Sequence, residues 1–165
     1  MRYKASHAAT TREKLLEEAV RTIRTLGVQA ATLGGVTKRV GMTHGGFYGH
    51  FQSRDAMVDA AIDRMFEQAR AKRRSWEDLA PVAQLIAFVD SYLSPEHRDD
   101  YTSGCPLALL ASEVQRLPLA ARGHYARDAR LVRQFLAGPL TLRGRADADA
   151  LAASILAEAI GAICV

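Results

Sequence analysis

Between Thr43 and Phe51 the chain reads THGGFYGHF, two histidines, a tyrosine and three glycines set among two phenylalanines four residues apart. On a helix that spacing puts Phe47 and Phe51 on one face, one turn apart, and turns them inward. His44, Gly45 and Tyr48 are left facing out, with His50 at the edge. An imidazole at position 44 suits hydrogen bonding to a base edge. Gly45 and Gly46, lacking side chains, let a backbone come close to a groove. The chemistry on offer is therefore recognition of double-stranded DNA rather than bond making.

Such a helix must be aimed, and the residues before it can do that. Thr32 opens a short helix on which Val36 and Val40 lie one turn apart, and Gly41 suits the left-handed conformation that ends it. Thr43 then caps the next helix by accepting from orphan backbone N–H groups. Helix, glycine turn and second helix make a helix-turn-helix, the second helix being the one that enters the major groove. Thr32, Thr43, Lys38 and Arg54 add phosphate donors, three of them at helix N-termini where the dipole favours anions. Long polar side chains are few on this face, so DNA shape is expected to weigh more than direct base contacts.

Over about its first 60 positions this order of residues resembles the TetR-type bacterial transcriptional regulators. The likeness rests on Thr32, the turn Gly41-Met42-Thr43, the segment Phe47-Tyr48-Gly49-His50-Phe51, and Ser53-Arg54-Asp55 opening the following helix. It implies that the positions of His44, Gly45 and Gly46 contact DNA, that Tyr48 and His50 touch phosphate, and that the protein acts as a homodimer on a near-palindromic operator. It also implies a repressor released by a small-molecule effector bound among body helices. Gly34 and Gly35 depart from the pattern, which usually has polar residues there. Each should weaken the first short helix by about 1 kcal/mol relative to alanine, which leaves fraying open to it.

The rest of the composition is consistent with this. At 165 residues the chain has room for a small head and a larger helical body. Residues 1–80 hold 14 Lys and Arg against 9 Asp and Glu, while the remainder is nearly balanced, so positive charge gathers where DNA phosphates are expected. No apolar run is long enough to cross a membrane, and the amino terminus lacks the apolar stretch of a secretory signal. The expected location is the cytoplasm, with no membrane partner. Cys105 and Cys164 are too few for a disulfide framework or zinc module, and no cofactor is expected.

The expected fold is all-α, with a helix-turn-helix domain at 1–54, including a basic arm at 1–9, and a ligand-binding and dimerisation domain at 55–165. Thr10 and Glu13 read as a capping box for the first helix, which ends at Gly27. Ser53 precedes a long connecting helix to about Trp76, its cationic end at Arg70, Lys72, Arg73 and Arg74 expected in solvent. Further helices are expected at 82–93, 105–117, from Pro118 to about Ala137 before Gly138-Pro139, and at 147–165, with 96–104 a loop. The last runs out on Ile160, Ile163 and Val165 without a stop signal, whereas members of the resembling family usually continue. The chain therefore reads either as shorter than the natural product or as having a small body.

Apolar and aromatic residues of the body, Met65, Phe66, Phe88, Tyr92, Tyr101, Leu109 and Phe135, with Cys105, are the candidate effector site, implying a mainly apolar or aromatic ligand. Small and apolar residues of the final helix, Leu151, Ile155, Glu158, Ala159 and Ala162, are the candidate dimer face. Cys105, following Gly104 at an expected helix start, also suits a thiol that senses oxidants or electrophiles. A small helical enzyme is the remote alternative, because neither a metal-binding motif nor a phosphate-binding glycine loop is present. No catalytic activity and no metal site are expected.

Overall fold

The computed structural model of the chain describes residues 2–100 and 102–163, with side chains from position 9 onward. The side chains of the basic arm up to residue 8, His7 included, and the candidates Tyr101, Cys164 and Val165 lie outside the described residues. Those described form nine α-helices and two short 3-10 turns, with no strand among them. The all-α expectation holds.

Helices α1 (Arg2–Leu26), α2 (Leu33–Val40) and α3 (His44–Phe47) make the head, and α4 (Arg54–Arg74) carries it into the body. The body continues with α5 (Pro81–Tyr92), the short α6 (Pro95–Asp99) and α7 (Pro106–Leu109), then the long α8 (Leu119–Leu142) and α9 (Ala148–Ile163). α4 is continuous from its Ser53 cap to Arg74 and packs on α1 and, in the body, on α8. Met57, Val58, Ala61, Ile62, Met65 and Phe66, all at most 1% exposed, form its apolar stripe and join the two halves in one core.

Several expected boundaries move. α1 begins at Arg2 rather than at Thr10, so the arm continues the helix and Thr10 and Glu13 are interior residues; Glu13 binds Arg64 of α4 instead. The segment 96–104 is not all loop, because Ser94 accepts from the His97 N–H and caps α6, whose first residue is Pro95. The helix expected at 105–117 stops after one turn, and a 3-10 turn at Val114–Arg116 follows. α8 runs through Gly138 and Pro139. Pro139 removes one helical bond, but Pro139 and Leu140 are buried, and the Arg143 N–H closes the helix on the Pro139 and Leu140 carbonyls.

The cationic end of α4 also differs. Asp128 of α8 is only 2% exposed and receives the Arg70 guanidinium on both oxygens at 2.8 and 2.7 Å, with Arg127 on Oδ2. Arg73 lies over the Phe135 ring at 6.0 Å. Buried counter-charge and aromatic surface draw these two arginines inward, while Lys72 and Arg74 stay exposed.

Candidate nucleic-acid interface

The head is built from three side-chain caps. The Thr32 hydroxyl accepts from the Gly35 N–H at 3.1 Å, Thr43 from the Gly46 N–H at 3.3 Å, and Ser53 from the Ala56 N–H at 3.0 Å. α2 is intact despite its two glycines. A Cβ at position 35 would stand 2.9 Å from the Thr32 hydroxyl, so Gly35 leaves room for the cap that starts the helix. That cap offsets the low helix propensity of the two glycines.

Gly41 closes α2 at φ +75°, and the Met42 N–H returns to the Thr37 carbonyl at 2.8 Å. Those are the positive φ and back-reaching bond of a glycine-terminated helix. α3 itself is one turn, continued as far as Phe51 by a turn whose N–H groups bond to the Gly46 and Phe47 carbonyls. Phe47 and Phe51 are buried against α1 and α2 residues of the same core, with ring centroids 5.7 Å apart. Tyr48 is 61% exposed, its ring edge-to-face with Phe47.

Outward positions follow from that anchoring. His44 and Gly45 are exposed, and nothing lies within 4 Å of a Cβ added at Gly45, so the backbone there is open to approach. Gly46 is tighter, with the Met42 methyl 3.0 Å from an added Cβ. Thr32, Lys38 and Thr43 are exposed and His50 half-buried beside them. Sequence alone gave no sign of Arg12, since 39 positions separate it from its partner. Its guanidinium stands over the Phe51 ring at 4.8 Å and adds positive charge beside this surface.

Arg54 does not join the set. Its guanidinium donates to the Ala31 carbonyl at 3.0 Å and the Val28 carbonyl at 2.7 Å, holding the 3-10 turn before α2. Its donors serve the subunit's own backbone. Arg39 is likewise engaged, by Thr22 at 3.0 Å and Glu18 at 3.3 Å.

In the body, a half-open cleft between α4, α5 and α8 contains three of the expected effector residues, Phe88, Tyr92 and Cys105, together with Trp76, Arg73 and His97. Phe135 stands beside it, its ring tilted against Trp76 with centroids 6.4 Å apart. Met65 and Phe66 are instead fully buried core residues, because their face of α4 meets the head–body core, and Leu109 borders a different depression beside Ile23 and Gly27. Cys105 precedes a helix of only four residues, which supplies little dipole, so that reason for thiolate character is gone.

Two links that the sequence did not suggest tie the body to the head. The Gly104 carbonyl accepts from Arg24 of α1 at 2.7 Å, and Glu113 accepts from the Val28 N–H at 3.0 Å. Next to Gly104, the Cys105 N–H donates to His97 Nε2 at 2.7 Å, which leaves Nδ1–H to donate to the Tyr92 carbonyl at 2.6 Å. Arg24 is 5% exposed, and burial holds its pKa below the ordinary value, offset by the nearby Cys105 and Asp100.

On the candidate dimer face, Leu151 and Ile155 are half-buried and Glu158 and Ala162 exposed, but Ala159 is buried in its own subunit. It sits one turn from Leu156 and two from Ala152 on the inward stripe of α9, which removes it from that face.

A capped, glycine-turned pair of short helices ahead of a helical body has the form of a helix-turn-helix head. Residues 15–61 match the family described as bacterial regulatory proteins, tetR family. The helix-turn-helix head thus carries the sequence pattern of the TetR family. The chain is 27% identical over 101 residues to the HTH-type transcriptional regulator SrpR of Pseudomonas putida, covering 57% of this chain and 45% of that protein. It is 24% identical over 91 residues to the uncharacterized HTH-type transcriptional regulator YvdT of Bacillus subtilis, covering 53% and 47%. The aligned region thus spans about half the length of these relatives.

The fold is similar to solved structures over nearly the whole chain. A TetR transcriptional regulator from Chloroflexus aurantiacus superposes with a TM-score of 0.84 at 24% identity, covering 96% of this chain and 85% of that one. A TetR-family regulator from Agrobacterium tumefaciens gives 0.82 at 23%, covering 95% and 87%. Among the described residues no helix is long and apolar enough to cross a membrane.

Proposed function

We propose that the protein is a non-enzymatic repressor that binds a near-palindromic operator as a homodimer and releases it when a small effector enters the body cleft. The observation that carries the reading is the anchoring of Phe47 and Phe51 in the head core, which leaves His44, Gly45 and Tyr48 outward on a capped helix. Thr32, Lys38, Thr43 and His50 surround them as phosphate contacts, with Arg12 added and Arg54 set aside. Domain division falls within α4, the head at 1–54 and the body from 55.

Two-fold symmetry would bring two heads to half-sites about 34–36 Å apart. Leu151, Ile155, Glu158 and Ala162 form the α9 side of the dimer, where exposed small residues such as Gly161 and Ala162 admit a close neighbour. Release is a population shift. An effector seated against His97 and Cys105 displaces the Gly104 carbonyl, and with it Arg24 on α1, changing how the heads are held. A thiol switch at Cys105 is the lesser reading, and DNA binding by Cys105→Ser with and without peroxide separates it from effector release. Cytoplasmic location follows from the proposed DNA partner.

The test is binding to the DNA upstream of the protein's own gene, by fluorescence anisotropy over a range of salt. Saturable binding of two chains per site, weakening steeply with salt through counterion release, is expected. Binding that His44→Ala, Tyr48→Phe and Lys38→Ala all leave unchanged defeats the reading.

A further inference from the structure

The cleft behind Trp76 is aromatic, but its charge is what the sequence did not reveal. Trp76, Phe88 and Tyr92 supply ring surface, Lys72 and Arg73 supply positive charge, and among the described residues no carboxylate lines it. Arg73 forms no ion pair among the described residues, whereas its neighbour Arg70 takes both Asp128 and Asp63. Asp128 and Glu77 act on Arg73 only at longer range, and Asp128 is already held by Arg70 and Arg127. Burial pulls the Arg73 pKa below its ordinary value, as for a guanidinium short of a counter-ion.

We infer that the cleft takes a small aromatic carboxylate, its ring against Trp76 and Phe88 and its carboxylate on the Arg73 guanidinium. This deepens the effector reading above and rests on it. A guanidinium fork matches a carboxylate with two parallel hydrogen bonds, and desolvation beside Phe135 strengthens them. Lys72 at the rim draws the anion in without fixing its orientation. The half-open cleft offers about 70 Å³, well below the 300–1,000 Å³ of drug-sized sites, so it covers no more than a single ring and leaves any longer tail in solvent. Neutral aromatics gain the ring contact and leave the guanidinium uncompensated.

Trp76 is the sole tryptophan in the sequence, so its fluorescence reports occupancy directly. Benzoate, benzamide and acetate are titrated into the full chain, with calorimetry as a second readout. Saturable binding of benzoate, at least tenfold tighter than either control, is expected. Arg73→Met should erase the preference for benzoate over benzamide, and Arg73→Lys, which keeps the charge and guards against a misfolded Met variant, should retain part of it. Equal binding of benzamide, a preference surviving in Arg73→Met, or no saturation by benzoate overturns the inference. Operator binding is measured on the same sample. Operator binding without any ligand but no benzoate binding rejects only the aromatic acid, while benzoate binding by a protein that fails to bind operator even before ligand is added rejects only the repressor.

Discussion

Asp128→Leu tests the strongest energetic statement about how the body grips the connecting helix. Asp128 is 2% exposed and accepts two hydrogen bonds from Arg70 and two from Arg127, while the Arg70 side chain is 22% exposed. Removing the carboxylate leaves Arg70 with only Asp63 at 3.6 Å. Breaking a buried pair from one side costs about 3–5 kcal/mol, since the remaining charge stays desolvated. For a domain of this size, with each kcal/mol worth roughly 2–4 °C, the melting temperature should fall by about 6–20 °C. Arg70→Met should cost less, about 1.5–3 kcal/mol, because Arg127 still serves Asp128. The double variant should be more stable than the sum of the single losses predicts, by about 1.5 kcal/mol or more. Urea unfolding followed by circular dichroism, at one protein concentration because dimerisation contributes to stability, measures all three midpoints. An Asp128→Leu loss under about 1 kcal/mol, or additive single losses, refutes the reasoning.

Thr43→Ala removes the only side-chain cap on a one-turn helix, so operator affinity should drop about fivefold for the roughly 1 kcal/mol lost, as anisotropy can check. Gly27→Ala combines φ +82° with a Cβ 2.7 Å from Glu113 Oε1, and differential scanning calorimetry should show a loss of about 1–2 kcal/mol. Ala162→Arg places charge on the proposed dimer face, and light scattering should find monomers while helicity is unchanged. Acid stability follows from carboxyls held low in the fold: Glu13 by its bond from Arg64, Asp63 by Arg127 and neighbouring cations against the opposing effect of burial, and Asp100, at about 2, by Ser103 and Thr102. Depressed folded values contribute stability that is complete above the ordinary 4.5 and 3.8 and is lost as pH falls through the folded values. Melting temperature against pH should therefore be flat from neutrality to about 4.5 and decline below it.

The DNA-reading head was legible because its determinants are local. A threonine cap, a left-handed glycine and two phenylalanines four apart act within a few residues of one another, so their order in the chain is enough to specify the turn and its outward face. Gly35 shows the limit even there: propensity predicted a weakened helix, and only the position of the Thr32 hydroxyl explains why glycine belongs. Helix boundaries at Pro139 and beyond Leu109 were decided by burial and by turns that propensity does not encode.

Sequence fixes what neighbours along the chain can do for one another: the all-helical pattern, the helix-turn-helix and its exposed residues. Tertiary structure decided which cations are engaged within the subunit. Arg54 binds backbone 23 and 26 positions away, Arg70 a carboxylate 58 away, and Arg24 a carbonyl 80 away. A guanidinium's role is set by the acceptor it meets, and acceptors that far off in sequence are brought within reach only by the packing of α1, α4 and α8.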